Sequence, residues 1–204
     1  MSLADVLSEW KARGSTAFVP YIVAGDPCLD TTLALVRALA EAGAAAVELG
    51  VPFSDPVADG PVIQRAAARA VAQGVTLDGV LDLAAQLRRD DVQLPLILFT
   101  YYNPVHHMGV GAFAARCEVA GVTAVLCVDL PPEEATDYRV ALDAAGVETV
   151  FLAAPTTADD RMALIGRSST STVYYVSRVG VTGERAALSE SLSAEVARVR
   201  AHMP

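Results

Sequence analysis

The sequence predicts an α/β fold in which strands and helices alternate strictly. The expected architecture is a parallel sheet of the TIM (β/α)8 barrel class, with about six βα units carried by this chain. Three observations predict it. First, "EAGAAAVELG" (41–50), "VAGVTAVLCVD" (119–129) and "AAGVETVFLAAP" (145–155) repeat one grammar, Ala-Gly closing a helical pattern and an apolar run following. Second, those runs are rich in Val, Leu and Ala without alternation, as expected of parallel strands covered on both faces. Third, polar groups and turn formers gather after every run, in "VAGDP", "ELG", "YYNP", "VDLPP", "AAPTT" and "SRVGVTG". In a barrel those carboxyl ends form the functional face. A GxGxxG fingerprint, which would favour a dinucleotide fold, does not follow the first strand.

The elements follow in order. Strands are expected to start near Phe18, Ala45, Leu96, Val122, Val147 and Val173. Gly43, Gly121 and Gly146 occupy the position after a helix where glycine enters the left-handed region cheaply. Between strands, "CLDTTLALVRALAEAG" opens with Asp30 as its N-cap, and "PPEEATDYRVALDAAG" carries Pro and Glu in its first turn. The gap between the second and third strands is nearly doubled, holding an acidic loop and two helical patterns, "VIQRAAARAVAQG" and "TLDGVLDLAAQLRRD". "SESLSAEVARVRAHM" follows the sixth strand. One barrel domain over residues 1–204 is the expectation.

Composition narrows the function. With 53% hydrophobic residues the chain can bury a large core, and its net charge of −9 without any Lys/Arg cluster argues against nucleic acid and anionic membrane as partners. Three cysteines, Cys28, Cys117 and Cys127, fit no CxxC spacing and point to reduced thiols in a cytoplasmic protein. "MSLADVLSEWKARG" has no apolar core of a signal peptide, and every apolar run is interrupted before membrane-spanning length.

The stretch "VELGVPFSDPVADGP" (47–61) carries the chemistry. Glu48 sits inside an apolar strand, where a carboxylate is costly unless paired or functional and where burial lifts its pKa towards an acid/base range. The plain alternative is a carboxylate reaching solvent past the strand end, or pairing with an arginine. Asp55 and Asp59 lie in a loop stiffened by Pro52, Pro56 and Pro61. Either is ordinary turn chemistry alone; together with Glu48 they offer a proton shuttle beside a fixed negative charge. "SRVGVTGE" (177–184) is a glycine loop with Gly180 and Gly183 as possible hinges and Thr182 as a hydroxyl. Tyr174 and Tyr175 alternate faces, and Tyr101 and Tyr102 pose the same choice; core packing is the default for all four. His106 and His107 read as loop residues without metal-ligand spacing, and Cys127 as an inert buried thiol.

The words themselves go further than periodicity. "VELGVPFSDPVADGPVIQ" closely resembles the signature of the tryptophan synthase α subunit, and "FVPYIVAGDP", "YYNPV", "VDLPPEE", "VFLAAPTT" and "YYVSRVGVTG" match that family in order and spacing from Ala17 onward. The resemblance implies a TIM barrel and a lyase that cleaves indole-3-glycerol phosphate to indole and glyceraldehyde 3-phosphate. It implies Glu48 as the general acid/base at indole C3 and Asp59 as the stabiliser of positive charge on the indole nitrogen. Tyr174 would position Glu48, and Thr182 in the closing loop would reach Asp59. Tyr21, Phe99, Leu126 and Val128 would line the indole pocket. Pro52, Asp55, Asn103 and Asp129 would serve the interface with a β subunit in an α2β2 heterotetramer. No cofactor is implied for this chain; pyridoxal phosphate would belong to the β partner.

The chain ends at "RVRAHMP", where the family's seventh strand begins, so the resemblance implies two βα units beyond these residues. The family grips substrate phosphate after strands seven and eight, leaving Gly180 and Gly183 to add at most one contact here. The 204-residue piece is therefore expected to be weakly active or inactive alone. Two alternatives stand beside the α-subunit reading, a stand-alone indole-glycerol-phosphate lyase and a non-catalytic short paralogue that binds a β subunit.

Overall fold

The computed structural model describes residues 2–176 and 192–202. Six strands, β1 (Tyr21–Val23), β2 (Val47–Gly50), β3 (Leu96–Thr100), β4 (Ala124–Cys127), β5 (Glu148–Ala153) and β6 (Val173–Tyr175), pair in parallel. Their order in space is their order in sequence. A doubly wound sheet would reverse direction at a switch point, so this order is that of a barrel wall. Every strand starts within three residues of its expected position.

Nine helices lie among the described residues: α1 (Leu3–Ala12), α2 (Leu29–Glu41), α3 (Pro61–Ala72), α4 (Leu77–Arg89), α5 (Tyr102–Met108), α6 (Val110–Ala120), α7 (Thr136–Ala144), α8 (Asp159–Ser168) and α9 (Leu192–Ala201). Two helix starts differ from expectation. Cys28, not Asp30, is the N-cap of α2, and Asp30 falls in the first turn, where its charge complements the helix dipole. The segment 131–134 is a turn, and α7 begins only at Thr136. The reason is the double proline, since a residue before proline is pushed out of the α region. His106 and His107 are exposed residues in the last turn of α5 rather than loop residues.

Alternation along each strand sorts the core into two layers. Val47, Leu49, Leu96, Leu98, Val125 and Phe151 pack outward among the helices. Ala46, Ile97, Ala124, Leu126 and Val150 pack inward, with Phe99, Val128, Leu152 and Tyr174 partly buried against them. The inner layer is closed from below by α1, whose Leu3 is fully buried in it. Glu148, at the start of β5, accepts from the Leu3 and Ala4 amides at 2.7 and 3.4 Å. Those amides belong to the orphan donors of a helix start, and the carboxylate satisfies them.

Outside the sheet, Arg88 of α4 ties neighbouring units together. It donates to the carbonyls of Gly121, Val92 and Leu94 at 2.6–3.0 Å. Gly121 ends α6 at φ 67°, and a Cβ there would stand 2.8 Å from the Arg88 side chain. Glycine is thus needed twice at one position, for the turn and for the approach.

Candidate active site

The site is built from β2 outward. Because Val47 and Leu49 face the helices, Glu48 and Gly50 must face the barrel interior. Glu48 is 8% exposed, and burial alone lifts its carboxyl from the ordinary 4.5 to about 7. Its register partners are Tyr21 on β1 and Ile97 on β3.

Three aromatic rings, from β1, β3 and β6, lie around it. Tyr21 meets Phe99 edge to face with centroids 5.1 Å apart, and Phe99 meets Tyr174 at 6.1 Å. The Tyr21 hydroxyl lies over the Cα of Gly50, so closely that a Cβ there would overlap it. Gly50 is what allows a phenol into this layer. Leu126 is fully buried beneath the rings, while Val128 is half-buried higher on the same face.

After β2 the chain enters the proline-stiffened loop, and it returns Asp59 to the neighbourhood of Tyr21 and Tyr174. The Asp59 backbone is held on both sides, its amide donating to Pro56 O at 3.1 Å and its carbonyl accepting from Gln64 Nε2 at 2.9 Å. Its side chain is buried, 6% exposed, and accepts from the Tyr101 hydroxyl at 2.9 Å. Burial raises the Asp59 carboxyl above the ordinary carboxylate range, and the Tyr101 bond opposes that rise.

The two acids share one electrostatic neighbourhood. Burial raises the Tyr21 phenol, and the nearby Asp59, Tyr101, Glu48 and Tyr174 raise it further. Tyr174 is raised by burial and then by Glu48 and Asp59. Glu48, Asp59, Tyr21, Phe99 and Tyr174 are thus brought together by the fold. Tyr175 points the other way, its hydroxyl bonding Glu195 of α9 at 2.9 Å. Thr182, Gly180 and Gly183 lie outside the described residues.

Asp55 is separate from this pair. It is exposed and accepts from the Ser54 hydroxyl at 2.6 Å. Asn103 is exposed on α5, and exposed Asp129 accepts from the Tyr102 amide at 2.7 Å at the start of that helix. Pro52 lies buried below them. All four sit at the carboxyl ends of β2, β3 and β4.

Tyr101 is the functional candidate that core packing as a default overlooked. The signal was available: Ile97 and Phe99 point inward, so period two sends residue 101 to the same side as Glu48. Among the described residues, no group of three or more His, Cys, Asp or Glu side chains is arranged to hold a metal ion. No described helix is long and apolar enough to cross a membrane.

Comparison with known proteins decides the family. The family model described as tryptophan synthase alpha chain matches residues 7–204. The chain belongs to the tryptophan synthase alpha chain family. It is 50% identical over 193 residues to the alpha chain of Bordetella pertussis, covering 95% of this chain and 68% of that one. It is 48% identical over 202 residues to the alpha chain of Burkholderia mallei, covering 99% and 74%. Among solved structures, the alpha subunit from Legionella pneumophila superposes with a TM-score of 0.89 at 37% identity, covering 100% of this chain and 75% of that chain. The tryptophan synthase α2β2 complex of Pyrococcus furiosus gives 0.85 at 38% identity, covering 92% and 75%. The chain thus spans roughly seven tenths of the length of its alpha-chain relatives.

Proposed function

We propose that this chain carries out the alpha-subunit reaction of its family in tryptophan biosynthesis, with Glu48 and Asp59 as its catalytic residues. One observation carries the residue roles: a buried inward carboxyl brought to about 7 by burial, with a second buried carboxylate acting on the same two tyrosines, Tyr21 and Tyr174. The reaction breaks the bond between indole C3 and the first carbon of the glycerol phosphate chain. Ring C3 gains a proton, and the hydroxyl on the departing carbon loses one as it becomes the aldehyde. The proton balance is zero, so one group that both gives and takes a proton is suited to it. A carboxyl near 7 is half-protonated at neutral pH, where Brønsted behaviour favours such a group.

Protonation at C3 leaves positive charge on the ring nitrogen. Asp59 is the fixed negative partner for that charge, already desolvated and held on both sides of its backbone. Tyr21, Phe99, Leu126 and Val128 supply an apolar wall for an indole ring, and Tyr174 packs beside Glu48 to position it. The described residues perform these steps without calling on a cofactor of their own.

The partner is a tryptophan synthase beta subunit, the assembly formed in the Pyrococcus furiosus complex. Pyridoxal phosphate is assigned to that subunit. Asp55, Asn103 and Asp129, exposed around three adjacent strand ends, are the proposed contact points, with Pro52 supporting the loop beneath. Three free thiols favour a cytoplasmic setting.

The test is indole release from indole-3-glycerol phosphate, with and without beta subunit, for the wild-type chain and for Glu48→Gln and Asp59→Asn. Removing a general acid/base should lower kcat by about 10²–10⁴-fold. Wild-type turnover retained by Glu48→Gln would refute the assignment.

A further inference from the structure

The Tyr101 hydroxyl is buried and makes two bonds at once. It accepts from the Ala58 amide at 3.0 Å and donates to Asp59 Oδ2 at 2.9 Å. Its ring, 3% exposed, is fixed by packing against Phe53, with centroids 5.1 Å apart. The amide's bond occupies a lone pair of the hydroxyl oxygen, so its single proton is directed at the carboxylate. Rotating that proton away would leave a buried carboxylate oxygen without its donor.

We propose that Tyr101 is a positioning residue for Asp59: clasped by the Ala58 amide, it fixes the direction of the Asp59 carboxylate and favours its charged form inside a dry cavity. The inference rests on the lyase reading for its effect on rate, but the clasp itself is a property of the chain. Among the described residues, the other titratable groups near Asp59 are Tyr21 on β1, Glu48 on β2 and Tyr174 on β6, with Asp129 beyond Tyr101. All are acids or phenols, and none supplies positive charge. A donated proton is thus the means by which the described residues stabilise a negative Asp59, and the direction of the Tyr101 effect on that carboxyl agrees.

Tyr101→Phe keeps the ring and deletes only the hydroxyl. With ¹³C-carboxyl-labelled aspartate, assigned by Asp59→Asn, the Asp59 titration should move to higher pH in Tyr101→Phe. The Ala58 amide should exchange faster with solvent. In turnover of indole-3-glycerol phosphate, kcat should fall about tenfold, the scale of a lost hydrogen bond to a charged group, with little change in KM. The acidic limb of the kcat profile should rise in pH. A purely structural tyrosine would lower folded fraction at every pH and leave the Asp59 titration where it was. An unmoved Asp59 titration, or an unchanged kcat with an unmoved acidic limb, overturns the proposal. If the wild-type chain releases no indole even with beta subunit, the turnover arm falls away and bears on the lyase reading alone, while the Asp59 titration and the Ala58 amide exchange still judge the clasp.

Discussion

The two ends of the barrel each hold a glutamate, buried near the carboxyl end and half-buried at the floor, and they treat it in opposite ways. At the floor, Glu148 faces the start of α1, and two backbone amides answer its charge. Burial raises its carboxyl, and those amides pull it back. Nearer the carboxyl end, Glu48 is surrounded by Tyr21, Phe99 and Tyr174, and burial acts on it unopposed. The same side chain is a helix cap in one layer and the proposed proton carrier in the other. What separates them is the supply of donors together with the depth of burial, for Glu48 is buried and Glu148 only half-buried.

The widest break in this contrast comes from Glu48→Gln. Beyond its loss of turnover, this variant should gain stability at alkaline pH. In the folded chain the carboxyl lies at about 7, above the ordinary 4.5, so folding favours the protonated form. The stability it contributes is full below pH 4.5 and is lost as pH rises through about 7. That gap corresponds to about 3 kcal/mol. Thermal melts from pH 5 to 9 should therefore show Tm falling in the wild type and falling less in the variant. Parallel curves would mean that Glu48 is solvated after all.

Gly50→Ala sharpens the comparison from the aromatic side. The new methyl would displace the Tyr21 hydroxyl and open the surround of Glu48. Overpacking of this kind costs about 1–3 kcal/mol, read by urea denaturation. Letting water reach Glu48 should also shift the pH dependence of turnover to lower pH.

A smaller effect is expected at the floor. Glu148→Ala strands the Leu3 and Ala4 amides and should destabilise by about 1 kcal/mol, as loss of an N-terminal cap does. Glu148→Gln retains an acceptor and should stay within about half of that. Indole release by folded protein should be the same in both. Smallest of all is Asp55→Ala, exposed and apart from the acid pair. It should leave stability within about 0.5 kcal/mol and turnover of the free chain unchanged. Its effect should emerge only in titrations with beta subunit.

The sequence disclosed some of these features readily and others not at all. A charge in an apolar run is conspicuous, so Glu48 stood out; its inward direction followed once Val47 and Leu49 were known to face the helices. The six strands were legible because parallel strands buried on both faces lose their polar alternation. Tyr101 was hidden because an aromatic ring reads as core whether or not its hydroxyl has a destination. The short α5 was obscured by Pro104 and Gly109, which punctuate "NPVHHMG" like a loop. Glu148 gave no signal, because its partners are amides 145 and 144 positions away in the chain.

That long separation bears on how the molecule is made. Helix α1 leaves the ribosome long before β5, yet its amides find their acceptor only when β5 has emerged. At typical synthesis rates of about 5–20 residues per second, α1 waits on the order of ten seconds for its seat. Until then the apolar floor is incomplete, because Val150 of β5 is missing from the layer that Leu3 joins. A helper protein that holds exposed apolar helices would meet this chain at its beginning, not its end. Trp10, the only tryptophan of the sequence, rides on α1. Its fluorescence is therefore a natural clock for the moment the floor closes.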